Sequence, residues 1–186
     1  VLLSPTGTGK TMAFLLPLIE RLQLKAVPCV QAMIVVPSRE LAIQIENVIK
    51  SMGLPWRAMS VYGGRAAMDE HRTMRGVQPT VIIGTPGRLN DHLEKGNIDA
   101  STIESLVIDE FDKCLELGFQ GEMQQVVDKL PRISFRFLTS ATDMDELPQF
   151  VAMSSATRLS YLKASDSDEK VITYAVHSES KDKLHT

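Results

Sequence analysis

Two short stretches carry residue types that could do phosphate chemistry. Ser4-Pro-Thr-Gly-Thr-Gly-Lys-Thr11 follows an apolar run, Val1 to Leu3, and leads into an apolar-rich helical stretch. A strand–loop–helix of this kind can point successive backbone N–H groups at an anion. The helix N-terminus adds its own donors and its positive dipole end. Gly7 and Gly9 can adopt backbone conformations that a side chain would obstruct. Lys10 supplies a point charge for phosphate oxygens, and the Thr11 hydroxyl can ligate Mg²⁺. Ser4 stands where the general pattern G-x-x-x-x-G-K-[ST] has its first glycine, so a polar turn before a lysine is the plain alternative. The second stretch is Val107-Ile-Asp-Glu110, two carboxylates at the end of an apolar strand. In phosphoryl transfer a strand-end Asp typically holds the metal and a neighbouring carboxylate handles the attacking water. Adjacent residues on an extended chain face opposite sides, which assigns Asp109 to metal and Glu110 to water. A solvated turn before a helix is the alternative here.

The elements that must position these groups can be read from apolar periodicity. Helices are predicted over Met12 to Leu24 (buried all round and interrupted by Pro17), Arg39 to Met52 with Ser38 as N-cap and Gly53 at its end, and Ala66 to Arg75. Further helices are predicted over Gly87 to Glu94 started by Pro86, Lys113 to Leu117, Gln120 to Leu130 and Asp145 to Met153. Strands are predicted at Val1 to Leu3, Gln31 to Val36, Trp56 to Tyr62, Pro79 to Gly84, Ile103 to Ile108, Phe135 to Leu138 and Arg158 to Leu162. Short apolar strands alternating with helices imply an α/β fold, a doubly wound and mostly parallel sheet flanked by helices. Ligands then bind outside the carboxyl ends of the strands. Lys10, Pro37, Gly63, Thr85, Asp109 and Ser140 all fall at such ends.

Composition limits the partners. The 186 residues suit one ordinary domain with a sizeable core, and a net charge of −3 excludes binding nucleic acid by bulk electrostatics. Any such contact must be local, through loops and a few arginines. No run is long enough to span a bilayer, so no membrane role is expected. Cys29 and Cys114 have no metal-ligand spacing and fit a reducing cytoplasm as bland thiols. The polar segment 163–170 reads as a linker after a 1–162 domain, and 171–186 as the opening of a second domain.

Six motifs now stand in order: Ser4-Pro-Thr-Gly-Thr-Gly-Lys-Thr11, Pro37-Ser-Arg-Glu-Leu-Ala42, Gly63-Gly64, Thr85-Pro-Gly-Arg-Leu89, Asp109-Glu-Phe-Asp112 and Ser140-Ala-Thr142. Together they resemble motifs I, Ia, GG, Ib, II and III of the DEAD-box RNA helicases, over nearly the whole chain up to the linker. A small residue at position 4 is usual in that family. The resemblance implies a RecA-like P-loop domain, the first of two, in an ATP-dependent RNA-unwinding enzyme. It implies ATP and Mg²⁺ as cofactors, with Ser4, Pro5, Thr6, Gly7, Thr8, Gly9, Lys10 and Thr11 around the nucleotide and with Thr11 and Asp109 serving the metal. Glu110 would be the catalytic carboxylate. Ser140 and Thr142 would link nucleotide state to unwinding, partly through Asp112. Pro37, Ser38, Arg39, Gly63, Gly64, Thr85, Pro86, Gly87 and Arg88 would meet the RNA sugar-phosphate backbone. Such contacts carry no base identity, so binding would be sequence-tolerant.

Two departures carry consequences. Phe111 replaces the alanine of the family name, which implies altered packing with the chemistry intact. The adenine-recognising segment would precede Val1, and the arginine finger and half of the RNA groove would lie in the second domain. The chain by itself is therefore expected to be a monomer that binds nucleotide weakly and shows no RNA-stimulated turnover. A DNA-directed superfamily 2 translocase is the rival enzyme, and a non-catalytic nucleotide-responsive scaffold the rival of another class.

Overall fold

In the computed structural model, residues 1–162 are described apart from 6, 26–27, 65–66, 145–146 and 154–155, which leaves the linker, the second-domain segment and Thr6 outside the described residues. The strands are β1 (Leu2–Leu3), β2 (Ala32–Val35), β3 (Ala58–Val61), β4 (Val81–Gly84), β5 (Ser105–Ile108), β6 (Phe135–Ser140) and β7 (Leu159–Ser160). The helices are α1 (Lys10–Ile19), α2 (Arg39–Ser51), α3 (Ala67–Val77), α4 (Pro86–Glu94), α5 (Phe111–Glu116) and α6 (Gln120–Asp128). The strands form one sheet in the order β3-β4-β2-β5-β6-β1-β7, and every neighbouring pair runs parallel. The doubly wound parallel α/β architecture predicted from the sequence is therefore what the chain adopts.

Side chains that alternate along each strand feed two separate cores, as the two-residue period of a strand requires. On one face Phe14, Leu15 and Leu18 of α1 and Ile45 and Ile49 of α2 pack over Ala32, Ile34, Val81, Ile83 and Val107. On the other, Met74, Leu89, Phe111, Met123 and Val126 from α3 to α6 pack over Met33, Val35, Ile82, Leu106 and Ile108. Strands buried on both faces explain the unbroken apolar runs in the sequence.

Two predicted elements need correction. Helix α1 ends at Ile19, where Arg21 and Leu22 donate to Leu18 and Ile19 in a tighter turn instead of continuing to Leu24. It is not buried all round either. Met12 and Leu16 are 41% and 53% exposed, because one side of a helix lying on a sheet faces away from it. Of the helix predicted over Asp145 to Met153, residues 145 and 146 lie outside the described residues, and the described part holds only a 3-10 turn at Gln149–Val151. Pro148, with ψ 139, has no N–H to donate and bars a helical residue before it. Other boundaries move by a few residues, as at β7, which covers only two of the five residues expected.

One glycine fixes the spacing of two site loops. A Cβ built on Gly84 would lie 2.4 Å from the Val61 carbonyl oxygen and 2.8 Å from Val61 Cγ2. Strands β3 and β4 pair residue for residue there, so the backbone has no room to yield. Gly84→Ala is expected to destabilise the domain by about 1–3 kcal/mol, the usual scale of overpacking. Urea unfolding measures it, and an unchanged midpoint would show that the strands can separate.

Candidate functional site

The loop between β1 and α1 is shaped by its glycines. Gly7 and Gly9 have φ of 79° and 89°, a region that favours glycine, and open space surrounds both Cβ positions. Ser4 at the end of β1 is buried, and its N–H donates to the Ser140 carbonyl at 3.0 Å. The Ser4 and Thr8 hydroxyls lie 2.6 Å apart, and Thr8 Oγ1 donates to the Pro5 carbonyl at 2.8 Å. Those bonds hold the turn closed without a glycine at position 4. Lys10 opens α1, is 8% exposed, and its Nζ donates to the Ser4 carbonyl at 2.8 Å. Thr11 follows in the first helical turn. The arrangement is a backbone cradle at a helix N-terminus with one buried cation, which suits an anion.

Across the sheet, β5 delivers Asp109 and Glu110. Asp109 is 2% exposed, and its N–H donates to the Val35 carbonyl. The extended backbone from which the sequence separated the two carboxylates is not what the structure has. Glu110 is not extended but left-handed, with φ 51° and ψ 53°, and it caps α5. A non-glycine residue held there costs about 1–3 kcal/mol and persists where surrounding bonds enforce it. Here the Glu110 N–H donates to Asp109 Oδ1 at 3.1 Å and to Thr139 Oγ1 at 3.0 Å, while the Thr139 hydroxyl also bonds Asp109 Oδ1.

Burial pushes the carboxyls of both Asp109 and Glu110 above their ordinary range. For Asp109, the Thr139 hydroxyl and the Lys10 charge work against that rise; for Glu110, the Asp109 charge adds to it. A cation seated beside the pair would restore both to the charged form. Among the described residues no group of three or more His, Cys, Asp and Glu could hold a metal unaided. Mg²⁺ bound through phosphates needs only one or two carboxylates, so Asp109 with Thr11 fits that ion and not a protein-caged one.

Asp112 joins the last motif to this centre. Its Oδ2 accepts from Ala141 N–H at 3.2 Å and Thr142 Oγ1 at 3.3 Å, while Oδ1 is buried without a hydrogen-bond partner. Ser140 Oγ donates to the Thr142 carbonyl at 2.6 Å and accepts from its N–H at 3.2 Å, a compact side-chain turn. Phe111 is fully buried and meets Phe150 at 6.3 Å between centroids with a 51° tilt. Cys114 is fully buried too, its thiol pushed up to about 12 by burial first and then by Asp109, Glu110 and Asp112. It is a packing residue, as the sequence implied.

The remaining loops line the same edge. Ser38 is committed as the α2 cap, its Oγ accepting from Leu41 N–H at 3.2 Å. Arg39 pairs with Glu40 at 2.6 Å while both stay exposed. Gly63 and Gly64 are exposed after β3, with φ 94° at Gly64. Thr85 caps α4, with Pro86 in the first helical turn. Arg88 lies with its side chain only 13% exposed, against Glu70 at 3.2 Å. Sequence reasoning missed Thr139 and Glu70. A hydroxyl in an otherwise apolar strand end was the available signal for Thr139; nothing local marked Glu70.

A family model described as DEAD/DEAH box helicase matches residues 1–157. The DEAD-box ATP-dependent RNA helicase CshA of Bacillus subtilis (strain 168) is 38% identical over 141 residues, covering 74% of this chain and 28% of the relative. The DEAD-box ATP-dependent RNA helicase 28 of Oryza sativa subsp. japonica is 36% identical over 154 residues, 80% of this chain and 19% of its own. A DEAD box protein from the hyperthermophile Methanococcus jannaschii superposes with a TM-score of 0.70 at 29% identity, covering 81% of this chain and 40% of that one. Mss116p bound to ssRNA and AMP-PNP superposes at 0.71 with 34% identity, over 81% of this chain and 33% of that one. This chain thus spans between about a fifth and two fifths of the lengths of these proteins.

Proposed function

The chain belongs to the DEAD/DEAH box helicase family, and on that footing we propose that it is the nucleotide-binding RecA-like domain of an ATP-dependent RNA helicase. Mg²⁺-ATP bound here would supply the phosphoryl group whose hydrolysis drives strand separation. The Gly7–Thr11 backbone and Lys10 would bind the phosphates, and Thr11 and Asp109 would hold the metal, partly through water. Glu110 would orient the attacking water and take its proton. Ser140, Thr142 and Asp112 would carry the nucleotide state to the RNA side. Single-stranded RNA would lie across Pro37 to Arg39, Gly63–Gly64 and Thr85 to Arg88, touched through its backbone. A second RecA-like domain in the same protein would complete both sites, as the family resemblance implies. No helix among the described residues is long and apolar enough to cross a membrane. Free Cys29 and Cys114 suit a cytoplasmic protein.

The observation that carries this reading is a buried lysine at a helix N-terminus, held over a glycine turn by the Ser4 carbonyl, on the same sheet edge as a buried, strand-end aspartate. The test is titration of a fluorescent ADP analogue with and without Mg²⁺. Lys10→Ala is expected to weaken binding at least tenfold, the loss of one charge-assisted phosphate contact. Equal affinity in the variant would place nucleotide elsewhere. Competition between single-stranded RNA and DNA of one sequence separates the RNA reading from a DNA-directed one.

A further inference from the structure

A buried carboxylate outside the nucleotide site ties the β3 and β4 loops together. Glu70, on α3, is 4% exposed. Its Oε1 accepts from the Tyr62 N–H at 3.1 Å, immediately before the Gly63–Gly64 turn. Its Oε2 lies 3.2 Å from Arg88 Nε and 2.9 Å from Nε2 of the fully buried His92, one turn further along α4. Arg88 Nε also donates to the Tyr62 carbonyl at 3.2 Å. Asn97 Nδ2 lies 3.0 Å from His92 Nδ1, which suits a neutral ring donating through Nε2. The Tyr62 N–H thus meets the carboxylate directly and its carbonyl meets it through Arg88, whose Nη1 also lies 3.5 Å from Asp91 Oδ2.

A buried ion pair of this kind is seldom a net source of stability, since desolvation consumes most of the Coulomb gain. What it does supply is geometry. The Tyr62 N–H at the end of β3 and the Arg88 guanidinium and His92 ring on α4 converge on one carboxylate, so the end of β3 and the start of α4 cannot move independently. We propose that Glu70 is a positioning residue for RNA-backbone binding, setting the register between the Gly63–Gly64 turn and Arg88, with His92 holding the carboxylate in place. This rests on the RNA reading of those loops given above.

The test is fluorescence anisotropy of a labelled single-stranded oligouridylate at graded salt, on the full-length protein that carries this domain and on its variants, with thermal unfolding recorded for each. Glu70→Gln is expected to weaken binding about tenfold, the scale of one charged hydrogen bond, and to lower the salt slope by about 1. In an Arg88→Ala background the same change is expected to cost less than about twofold, because the residue it acts through is gone. His92→Leu leaves the carboxylate with one donor fewer. It should give a smaller loss in the same direction, and it decides the matter if Glu70→Gln fails to fold. Unchanged affinity and slope in folded Glu70→Gln or His92→Leu, or additive losses with Arg88→Ala, would overturn the proposal. Salt-dependent RNA binding absent from the wild-type full-length protein would instead overturn the RNA reading itself.

Discussion

Replacing Glu110 by Gln is expected to leave Mg²⁺-nucleotide binding in place and to slow hydrolysis by at least ~10²-fold, the scale of removing a general base. The substitution is isosteric, so the left-handed turn at φ 51° and its two bonds to Asp109 and Thr139 can persist. Only the capacity to take a proton is lost. Asp109, held by the Thr139 hydroxyl and supported by Lys10, would keep the metal-holding role proposed for it. Single-turnover hydrolysis in the helicase that carries this domain, alongside nucleotide affinity, separates the two roles. Normal hydrolysis in the variant would remove Glu110 from the chemistry. Lost binding with hydrolysis unchanged per bound nucleotide would make it a structural cap.

Phe111→Ala is expected to cost about 3–5 kcal/mol of stability while nucleotide affinity stays within a few-fold. The substitution restores the residue of the family motif, yet this chain has built its core around a ring. Phe111 is fully buried in the cluster that includes Met123, Val126 and Phe150, on the face under α3 to α6. The tilted pair with Phe150 adds to the area it removes from water. Its neighbours Glu110 and Asp112 are fixed by separate bonds, to Thr139 and to the Ala141–Thr142 segment. The ring therefore supports the start of α5 from below without entering the site. Urea unfolding gives the stability, and a loss under ~1 kcal/mol would mean that neighbouring side chains refill the space.

The chain declared its fold class through local signals, and the same signals marked the strand ends where its candidate site residues stand. Apolar runs bounded by Pro, Gly and Ser marked the strands and their ends. Ser38 read as a cap and is one, its hydroxyl bonding Leu41 three residues on. Pro148 was an equally local signal, and it ended a predicted helix that periodicity alone favoured. Capping, proline and glycine effects act within a few residues, so they are written in the order of the sequence. Tertiary structure alone decided the order β3-β4-β2-β5-β6-β1-β7 and every partnership that depends on it. Ile108 pairs with Leu138, which brings Thr139 beside Asp109, thirty positions away along the chain. Val61 pairs with Gly84, which brings Arg88 and the Tyr62 backbone to Glu70. A parallel ladder fixes such pairs by strand register, and register is set by burial on both faces of the sheet at once. No window of the sequence contains that information, because the two sides of each bond reach the same strand edge from different crossovers.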